Sequence, residues 1–250
     1  MGKAMPSLPE PFYSAAEHVG IDLPGARALF TTRRGGCSSG AYSSLNLGHL
    51  TDDAPDAVQR NRAALQATLG VRFAYGRQVH GVTVARTCAP PGPPSAPQDA
   101  DGQATVVRGL APMVLSADCL PIAIAGRGAV TMLHAGWRGL VAGVVREGVR
   151  ALRELGAGGP LTAAIGPGAG PCCYEVGEEV HAAFASCDAA LRVERRLDLK
   201  AAAKYELARA GVDEVHDVAL CTICADRSLF YSHRRDRGIT GRQAGIAWLS

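Results

Sequence analysis

The chain has 250 residues, and its 26 lysines and arginines against 23 aspartates and glutamates give a formal net charge of +3. No long block of one charge sign is present, and no basic stripe is interleaved with aromatic residues. Charge and composition therefore give no support to a nucleic-acid-binding or membrane-surface protein. Hydrophobic residues make up 47% of the chain, enough to bury a sizeable core. We predict a single domain over residues 1–250.

The N-terminal segment lacks the features of a targeting signal. We treat residues 1–20 as a Pro-containing leader in which no basic segment precedes an apolar stretch, and Asp118 and Arg127 interrupt the apolar runs elsewhere. The sequence thus predicts neither a signal peptide nor a transmembrane span, and we expect a cytoplasmic protein. The eight cysteines are then expected to be mostly reduced thiols.

The first half of the chain is punctuated by turns. Residues 28–32 predict a strand leading into a glycine-rich turn that carries Arg33, where an anion or a ribose could bind. Residues 54–69 predict a helix capped by Asp53 and ended by Gly70. Residues 88–98 predict a Pro-rich surface loop. The turn after it carries Asp99 and Asp101, a type of pair that is usually solvated, although Asp101 could line a site.

Two apolar runs, 121–125 and 129–133, predict a β-hairpin, because Gly126-Arg127-Gly128 between them favours a tight turn. With a loop of two or three residues, the pairing places Cys119 and His134 nearly opposite each other at the open end of the hairpin. Residues in such positions are in cross-strand contact at ~5 Å.

A tight turn at 134–139 is followed by a predicted helix at 140–155. The start of this helix offers free N–H groups to an anion, and Arg138 carries donors suited to phosphate. Residues 165–171 resemble a phosphate loop only superficially, since they lack the Gly-Lys-Ser/Thr ending. The remaining predicted elements are helices at 178–186 and 198–210, the second capped by Asp198, and strands at 213–220, 228–232 and 244–249.

Two cysteine pairs lie in the second half of the chain. Cys221 and Cys224 form a C-x-x-C, but no second pair stands at finger-like spacing, so we do not expect a structural zinc there. A thioredoxin-like role is not favoured either, because no helical period follows the motif. The adjacent Cys172 and Cys173 are expected to be buried near a loop and not to chelate one metal together.

His80, Cys119 and His134 together offer two imidazoles and one thiolate. This set suits a catalytic zinc whose fourth position is open to water or substrate. The alternative is that Cys119 is a small buried hydrophobe and His134 a core histidine. The adjacent Asp118 and the small residues after His134 favour the metal site.

Eight short segments in a fixed order point to one family. They are TTRRGG (31–36), SLNLG (44–48), NR (61–62), QVHG (78–81), ADCLP (117–121), HAGWRG (134–139), CYEVG (173–177) and TGRQA (240–244). Together they resemble the YfiH-like family, whose members are also named laccase-domain or polyphenol oxidase proteins, and some of them peptidoglycan editing factors. The resemblance extends from about residue 28 to the C-terminus.

The resemblance implies a single-domain α+β fold of mixed β-sheets packed with helices, similar to the cysteine-hydrolase domain of a bacterial deamidating toxin. It implies a zinc-dependent purine nucleoside phosphorylase that uses phosphate to split adenosine, inosine and methylthioadenosine and that also deaminates adenosine. The family's zinc ligands correspond to His80, Cys119 and His134. Copper could occupy the same ligands in vitro.

Several further residues receive predicted roles. Asp118 or Glu175 could supply the acid/base group for deamination, for which zinc would lower the pKa of a bound water toward ~7. Arg138 is our preferred phosphate ligand. The predicted substrate contacts are Arg33, Asn46, Arg62, Gln78, Glu175 and Arg242.

Three alternatives stay open. Cys119 could act as a nucleophile with His134 as its base, in an amidase of peptidoglycan-precursor peptides. The metal could instead be a structural zinc in an interaction module, which a fourth protein ligand would support. A copper-dependent polyphenol oxidase is less favoured, because the chain has seven histidines and no H-x-H pair. The partners we predict are purine nucleosides and phosphate, and no oligomeric state is predicted.

Overall fold

The computed structural model of the chain describes residues 5–90, 97–187 and 191–250. The predicted Pro-rich loop therefore lies partly outside the described residues, at 91–96. Within the described part, fourteen strands form two six-stranded sheets and one two-stranded ribbon. The strands are β1 (Tyr13–Ala15), β2 (His18–Leu23), β3 (Ala26–Phe30), β4 (Arg72–Ala74), β5 (Val84–Arg86), β6 (Gly102–Thr105), β7 (Leu110–Ser116), β8 (Leu120–Arg127), β9 (Ala129–Ala135), β10 (Gly158–Ile165), β11 (Arg192–Val193), β12 (Arg196–Leu197), β13 (Glu214–Asp217) and β14 (Gln243–Leu249).

Both large sheets are mixed. The first has the order β1-β2-β3-β14-β7-β4, and the second has the order β13-β10-β8-β9-β6-β5. Neighbouring strands are antiparallel except for the parallel pairs β4–β7, β5–β6 and β10–β13. Five α-helices accompany them in the described residues: α1 (Pro55–Leu69), α2 (Trp137–Ala142), α3 (Val144–Glu154), α4 (Glu178–Ala183) and α5 (Leu199–Arg209). The predicted α+β class is confirmed.

The sheets pack face to face, and helices cover their outer faces. Alternate residues of each strand point to opposite faces. Phe30 and Val114 of the first sheet therefore meet Ala123, Val130 and Met132 of the second in a shared core. On the outer faces, α1 contributes to the core under the first sheet, and α2, α3, α4 and α5 contribute to the core under the second. The result is a helix–sheet–sheet–helix arrangement.

One of the places where the chain passes from one large sheet to the other is the turn between β7 and β8. β7 ends at Ser116 in the first sheet, and β8 begins at Leu120 in the second. His134 follows Val130 and Met132 on the face of β9 that packs between the sheets. Cys119 and His134 thus lie at one end of the space between the two sheets.

The predicted hairpin is present with a specific register. Pro121 pairs with His134, and Leu120 pairs with Ala135. Cys119 therefore lies one residue beyond the last pair, and it is not directly opposite His134. The turn is shorter than the three-residue alternative, because Gly126 still pairs with Ala129.

Other elements differ from prediction. The helix expected at 140–155 is two helices, because Gly143 has φ +99° and ends α2 before α3 begins. The N-cap of α1 is Ala54 with a proline in its first turn, whereas Asp53 accepts a hydrogen bond from the Asn46 side chain. Residues 13–15 and 18–20 of the proposed leader form strands of the first sheet.

The last part of the chain contains less strand than predicted. Residues 228–232 contain no strand, since 228–229 form a turn and 230–232 are irregular, and β13 covers only Glu214–Asp217 of the expected strand at 213–220. The predicted helix at 178–186 ends at Ala183. Asp198 caps α5 as expected, because its carboxylate accepts from the Ala201 N–H at 2.9 Å. Across the described ranges, no helix combines the length and apolar character needed to cross a membrane.

Candidate metal centre

One buried carboxylate orders both histidines of the predicted metal site. Asp101, fully buried, accepts hydrogen bonds from the N–H groups of Val79, His80 and Gly81 at 2.7–3.1 Å. Its Oδ1 also lies 2.9 Å from His134 Nδ1. These bonds hold His80 at φ +60°, a conformation that non-glycine residues rarely adopt. Because Nδ1 of His134 is engaged by Asp101, Nε2 is the nitrogen left to face a metal.

Cys119 follows a residue that, like His80, has a positive φ. Asp118, the residue before it, has φ +94°. Its carbonyl accepts from the Ala169 N–H, and its two carboxylate oxygens accept from Thr222 Oγ1 and from the Arg234 N–H, each at 2.7 Å. Such conformations persist where the surrounding structure supplies enough contacts to hold them. Thr222 and Arg234 are far away in sequence, so only the folded chain fixes this turn.

The three predicted ligands converge. One ligand atom each from His80, Cys119 and His134 lies within 4.8 Å of the others. Cys119 Sγ is 3.8 Å from His80 Nε2, and the two imidazole rings meet edge to face with centroids 4.9 Å apart. A tetrahedral ion with bonds of about 2.0–2.3 Å keeps its donors roughly 3.3–3.8 Å apart. The group could hold a metal ion after small side-chain movements.

Gly136 leaves room for the side chains of Cys119 and His80 to come close together. A Cβ at position 136 would lie 3.0 Å from both Cys119 Sγ and His80 Cδ2. Gly136 also precedes α2, so the chain turns away directly after the ligand strand β9. The small residues noted after His134 in the sequence therefore leave room for the ligands.

Cys119 and His134 shift each other's pKa values strongly. Burial by itself raises the pKa of Cys119, but the charge and hydrogen bonding of His134, with a hydrogen bond from His80, lower it to about 6. Burial lowers the pKa of His134, whereas the Cys119 charge and the hydrogen bonds with Asp101 and Cys119 raise it to about 9. Without a metal, the pair is a thiolate and an imidazolium near neutral pH. A thiolate is the form that binds metals.

Three arginines interact electrostatically with residues of the candidate centre or of its neighbourhood. The Arg242 guanidinium interacts electrostatically with Cys119 and Asp118, which opposes the lowering of its pKa by burial. Burial, and next the charge of Cys119, raise the pKa of Tyr174 to about 12, while Arg234 and Arg138 act in the opposite direction. Arg138 also stacks on Trp137, with its Cζ 4.3 Å from the ring centroid.

Two of the predicted substrate contacts support other parts of the site. Gln78 pairs with the backbone of Leu115, donating to its carbonyl at 2.7 Å and accepting from its N–H at 2.8 Å. This pairing fixes the His80 loop against the end of β7. Asn46 is buried, and its Oδ1 accepts from the Arg242 N–H at 2.8 Å. The structure therefore gives both residues a positioning function.

Arg33 and Arg62 have partners away from the three ligands. Arg33 donates to the carbonyls of Ala41 and Arg227 and lies 4.3 Å above the Tyr231 ring. It lines a cavity of about 600 Å³. Arg62 is buried, donates to the Leu47 carbonyl at 2.8 Å and lies over a tyrosine ring, and burial lowers its pKa to about 10. Within the part of the chain that the structure describes, the hydrogen bonds and ring contacts of these two arginines are made to groups other than the three candidate ligands.

Sequence reasoning named some neighbours of the site and missed others. Glu175 is exposed, and its carbonyl accepts from the Arg234 guanidinium at 2.7 Å. The sequence patterns predict no role for Tyr174, which lies in the same segment as Glu175. They predict none for Arg234 either. Asp101 was noted only as a residue that could line a site. No local pattern distinguishes Arg234 from other surface arginines, because its position depends on a contact with Asp118.

The two packed mixed sheets and the His/Cys/His group define a single-domain α+β protein with a candidate metal centre. A family model described as multi-copper polyphenol oxidoreductase laccase matches residues 27–250. The chain belongs to this family, and the resemblance to YfiH-like proteins is confirmed.

Individual relatives cover nearly the whole chain. Purine nucleoside phosphorylase SCO2081 from Streptomyces coelicolor is 43% identical over 90% of this chain and 96% of its own length. Purine nucleoside phosphorylase YfiH from Escherichia coli K12 is 36% identical over 90% and 94%. The crystal structure of the hypothetical protein YfiH from Bacillus licheniformis superposes with a TM-score of 0.87 at 29% identity, covering 96% of this chain and 100% of that one.

Proposed function

We propose that this protein is a zinc-dependent purine nucleoside phosphorylase that acts on adenosine, inosine and methylthioadenosine and has adenosine deaminase activity. The observation that carries the proposal is the convergence of His80, Cys119 and His134 beside Arg242, whose guanidinium interacts electrostatically with Cys119. Relatives of 36% and 43% identity named purine nucleoside phosphorylases support it. The names of those relatives specify neither the metal nor the nucleoside.

The donor set fits zinc. Two imidazole nitrogens and one thiolate are the ligand types zinc prefers, and three protein ligands leave one position for a substrate or water. When bound, zinc would supply a Lewis acid for polarising an oxygen or activating water. Asp101 fits this assignment, because a carboxylate that accepts from the second nitrogen of a ligating histidine fixes its tautomer and orientation.

Phosphorolysis requires an anion site beside a bound nucleoside. A phosphate oxygen forms a bond to C1′ of the ribose while the bond from C1′ to N9 breaks, and the purine leaves with the bonding electrons and takes up a proton. Arg138, Arg234 and Arg242 supply positive charge near Cys119 and Tyr174. We assign these three arginines to phosphate binding. Arg138 is also the phosphate ligand that the sequence analysis favours. Tyr174, protonated at neutral pH, offers an O–H donor beside them.

Deamination needs a group that moves protons near C6 of adenine. Asp118 and Glu175 are our candidates. The carboxylate of Asp118 already accepts from Thr222 and from the backbone of Arg234, whereas Glu175 is exposed beside Tyr174. We therefore favour Glu175 for proton transfer and assign Asp118 to holding the Cys119 turn. Arg33, Asn46, Arg62 and Gln78 remain proposed substrate or positioning residues.

The test combines metal analysis with product chromatography. Wild-type protein, Cys119→Ala and the matched control Cys88→Ala are incubated with adenosine, with and without phosphate. We expect adenine and ribose 1-phosphate only with phosphate, inosine in either buffer, and loss of all products in Cys119→Ala alone. Zinc bound by His80, Cys119 and His134 should disappear with that activity. Wild-type protein that leaves nucleosides intact at full zinc loading would overturn the proposal.

One observation favours a second candidate, an amidase. Cys119, His134 and Asp101 form a thiolate, an imidazolium and a carboxylate in hydrogen-bonded order, the arrangement of a cysteine nucleophile with its base and orienting acid. Zinc occupancy discriminates between the two, because a metal-bound thiolate is a poor nucleophile. Amide hydrolysis that persists after zinc removal, with Cys119 alkylated by a substrate-like inhibitor, would favour the amidase.

A further inference from the structure

A second group of metal-ligating side chains lies outside the candidate centre. Cys172, Cys173, Cys221 and Cys224 each place Sγ within 4.8 Å of the other three. We propose that these four cysteines bind a structural zinc ion that joins two loops, residues 166–177 and 218–235. We call this four-cysteine site the zinc clasp. The site goes beyond the proposed function, because it lies apart from the His/Cys/His group and holds no open position for a substrate.

The spacing of the sulfurs fits a tetrahedral ion. Four thiolates at about 2.3 Å from zinc lie about 3.8 Å apart. Cys172 Sγ and Cys224 Sγ are separated by 3.6 Å, far more than the ~2.05 Å of a disulfide. Four soft sulfur donors in tetrahedral arrangement are typical of structural zinc, which needs no further ligand.

A tight turn brings the adjacent cysteines to one side of their loop. The N–H groups of Cys173 and Tyr174 both donate to the Gly170 carbonyl at 3.0 Å. A Cβ at position 170 would meet Cys172 Sγ at 3.3 Å and Cys221 Cβ at 3.2 Å, so glycine lets the two loops approach. The proposal therefore departs from the expectations that adjacent cysteines would not serve one metal and that no structural zinc would bind at the C-x-x-C, because this turn brings both thiols within 4.8 Å of Cys221 and Cys224.

Backbone donors surround one of the sulfurs. The Gly170 N–H points to Cys221 Sγ with an N···S distance of 3.3 Å, and the N–H groups of Ile223 and Cys224 also donate to this atom. Hydrogen bonds of this kind stabilise the negative charge of ligating sulfur and orient the ligand around its metal. The C-x-x-C segment thus folds around Cys221 as a knuckle.

The clasp acts on the turn that carries Cys119. Thr222, between the two cysteines of the knuckle, donates to Asp118 Oδ1, and the Ala169 N–H donates to the Asp118 carbonyl. Thr222 is adjacent to Cys221, and Ala169 lies three residues before Cys172 in the same loop. A zinc ion that joins the two loops would therefore hold the positive-φ turn of Asp118 from both sides, which gives the second site a positioning function.

Zinc stoichiometry by elemental analysis of reduced protein tests the clasp. We expect two zinc ions per chain in the wild type and in the control Cys37→Ser/Cys88→Ser, and one in Cys221→Ser/Cys224→Ser. The variant Cys119→Ala should also retain one, which separates this proposal from the catalytic one. Wild-type protein with a single zinc that Cys119→Ala removes and Cys221→Ser/Cys224→Ser keeps would overturn the clasp.

A second measurement needs no variant. Native wild-type protein is treated with N-ethylmaleimide, and the modified cysteines are mapped by mass spectrometry. Cys37, Cys88 and Cys224 are all exposed. We expect Cys224 to be at least tenfold slower than Cys37 and Cys88, and to lose this protection after a chelator. Equal reaction rates at the three residues, or disulfides among the four cysteines in protein kept reduced, would contradict a zinc clasp.

Discussion

The two groups of ligating side chains differ in donors and in surroundings. His80, Cys119 and His134 combine nitrogen and sulfur, depend on one buried carboxylate for the orientation of the two histidines, and interact electrostatically with Arg242 through Cys119. The four-cysteine group has only sulfur donors, and backbone N–H groups donate to one of its sulfurs, Cys221 Sγ. Three protein ligands leave a metal open for chemistry, whereas four close it. The comparison therefore predicts an open metal site at the first group and a closed one at the second.

Thiol acidity gives the largest expected contrast between the two groups. In chelator-treated protein, iodoacetamide labelling of Cys119 should rise with a midpoint near pH 6, because His134 and His80 stabilise its thiolate. Burial and hydrogen bonding with Cys224 raise the pKa of Cys173 to about 11, so it should stay unlabelled at pH 7. Relative to the ordinary thiol value of 9.0, Cys119 is about a thousandfold more acidic.

His134→Gln provides the control for this labelling. The substitution removes the imidazolium charge, so the midpoint for Cys119 should move upward toward that of an ordinary thiol. A wild-type profile without a midpoint between pH 5 and pH 8, or an unchanged midpoint in His134→Gln, would show that the charge sharing is absent. The measurement is a pH series of labelling rates read by peptide mass spectrometry.

Asp101→Asn should weaken the open site selectively. Asp101 orders His80 through backbone N–H groups and His134 through Nδ1, and loss of such a partner typically lowers metal affinity 10- to 100-fold. We expect competition with a chromophoric chelator to show this loss for one of two zinc ions. Asp99→Asn in the same turn, where the carboxylate pairs with exposed Arg77, should bind zinc as the wild type does.

Thr222→Val tests the link between the two groups. The substitution keeps the shape of the side chain but removes the hydrogen bond to the buried Asp118 carboxylate. An unsatisfied buried group costs about 1–3 kcal/mol, so the free energy of unfolding in urea should fall by that amount with both zinc ions retained. Thr68→Val on the exposed face of α1 should change it by less than about 0.5 kcal/mol. Equal effects in both variants would count against the link.

Gly136→Ala should give the smallest effect. The added Cβ would lie 3.0 Å from Cys119 Sγ and His80 Cδ2, so these side chains must shift by a few tenths of an ångström. Because Gly136 has φ −78°, alanine adopts its backbone conformation without strain. We expect a few-fold loss of zinc affinity at the open site and none at the clasp, measured by the same chelator competition.

Local sequence patterns predicted many of the elements but not their limits. The Gly126-Arg127-Gly128 turn predicted the β8–β9 hairpin, and the Asp198 cap predicted the start of α5. Gly143 was not recognised as a helix break, because a glycine within a helical pattern is compatible with continuation. Residues 228–232 have strand composition but pair with no strand, and pairing is a tertiary property.

The chemistry of the side chains also indicated the open site before any geometry was known. His80, Cys119 and His134 stand in short segments rich in small residues, and the structure brings their ligand atoms within 4.8 Å of one another. The role of Asp101 could be suspected from its adjacency to β6, but three of its four side-chain hydrogen bonds come from a loop about twenty residues earlier, and the fourth joins it to His134 on β9. No local sequence pattern predicts that Arg234 lies near the site.

The sequence by itself determined the α+β class, the family and the three candidate ligands, because these depend on local pattern and on residue chemistry. Only the tertiary structure decided that Asp101 serves both histidines, that Thr222 and Ala169 hold the Asp118 turn, and that Cys172 and Cys173 meet Cys221 and Cys224. These contacts join segments separated by about 20 to 100 residues. Their formation depends on how the two sheets and their connecting loops pack, which no local pattern encodes.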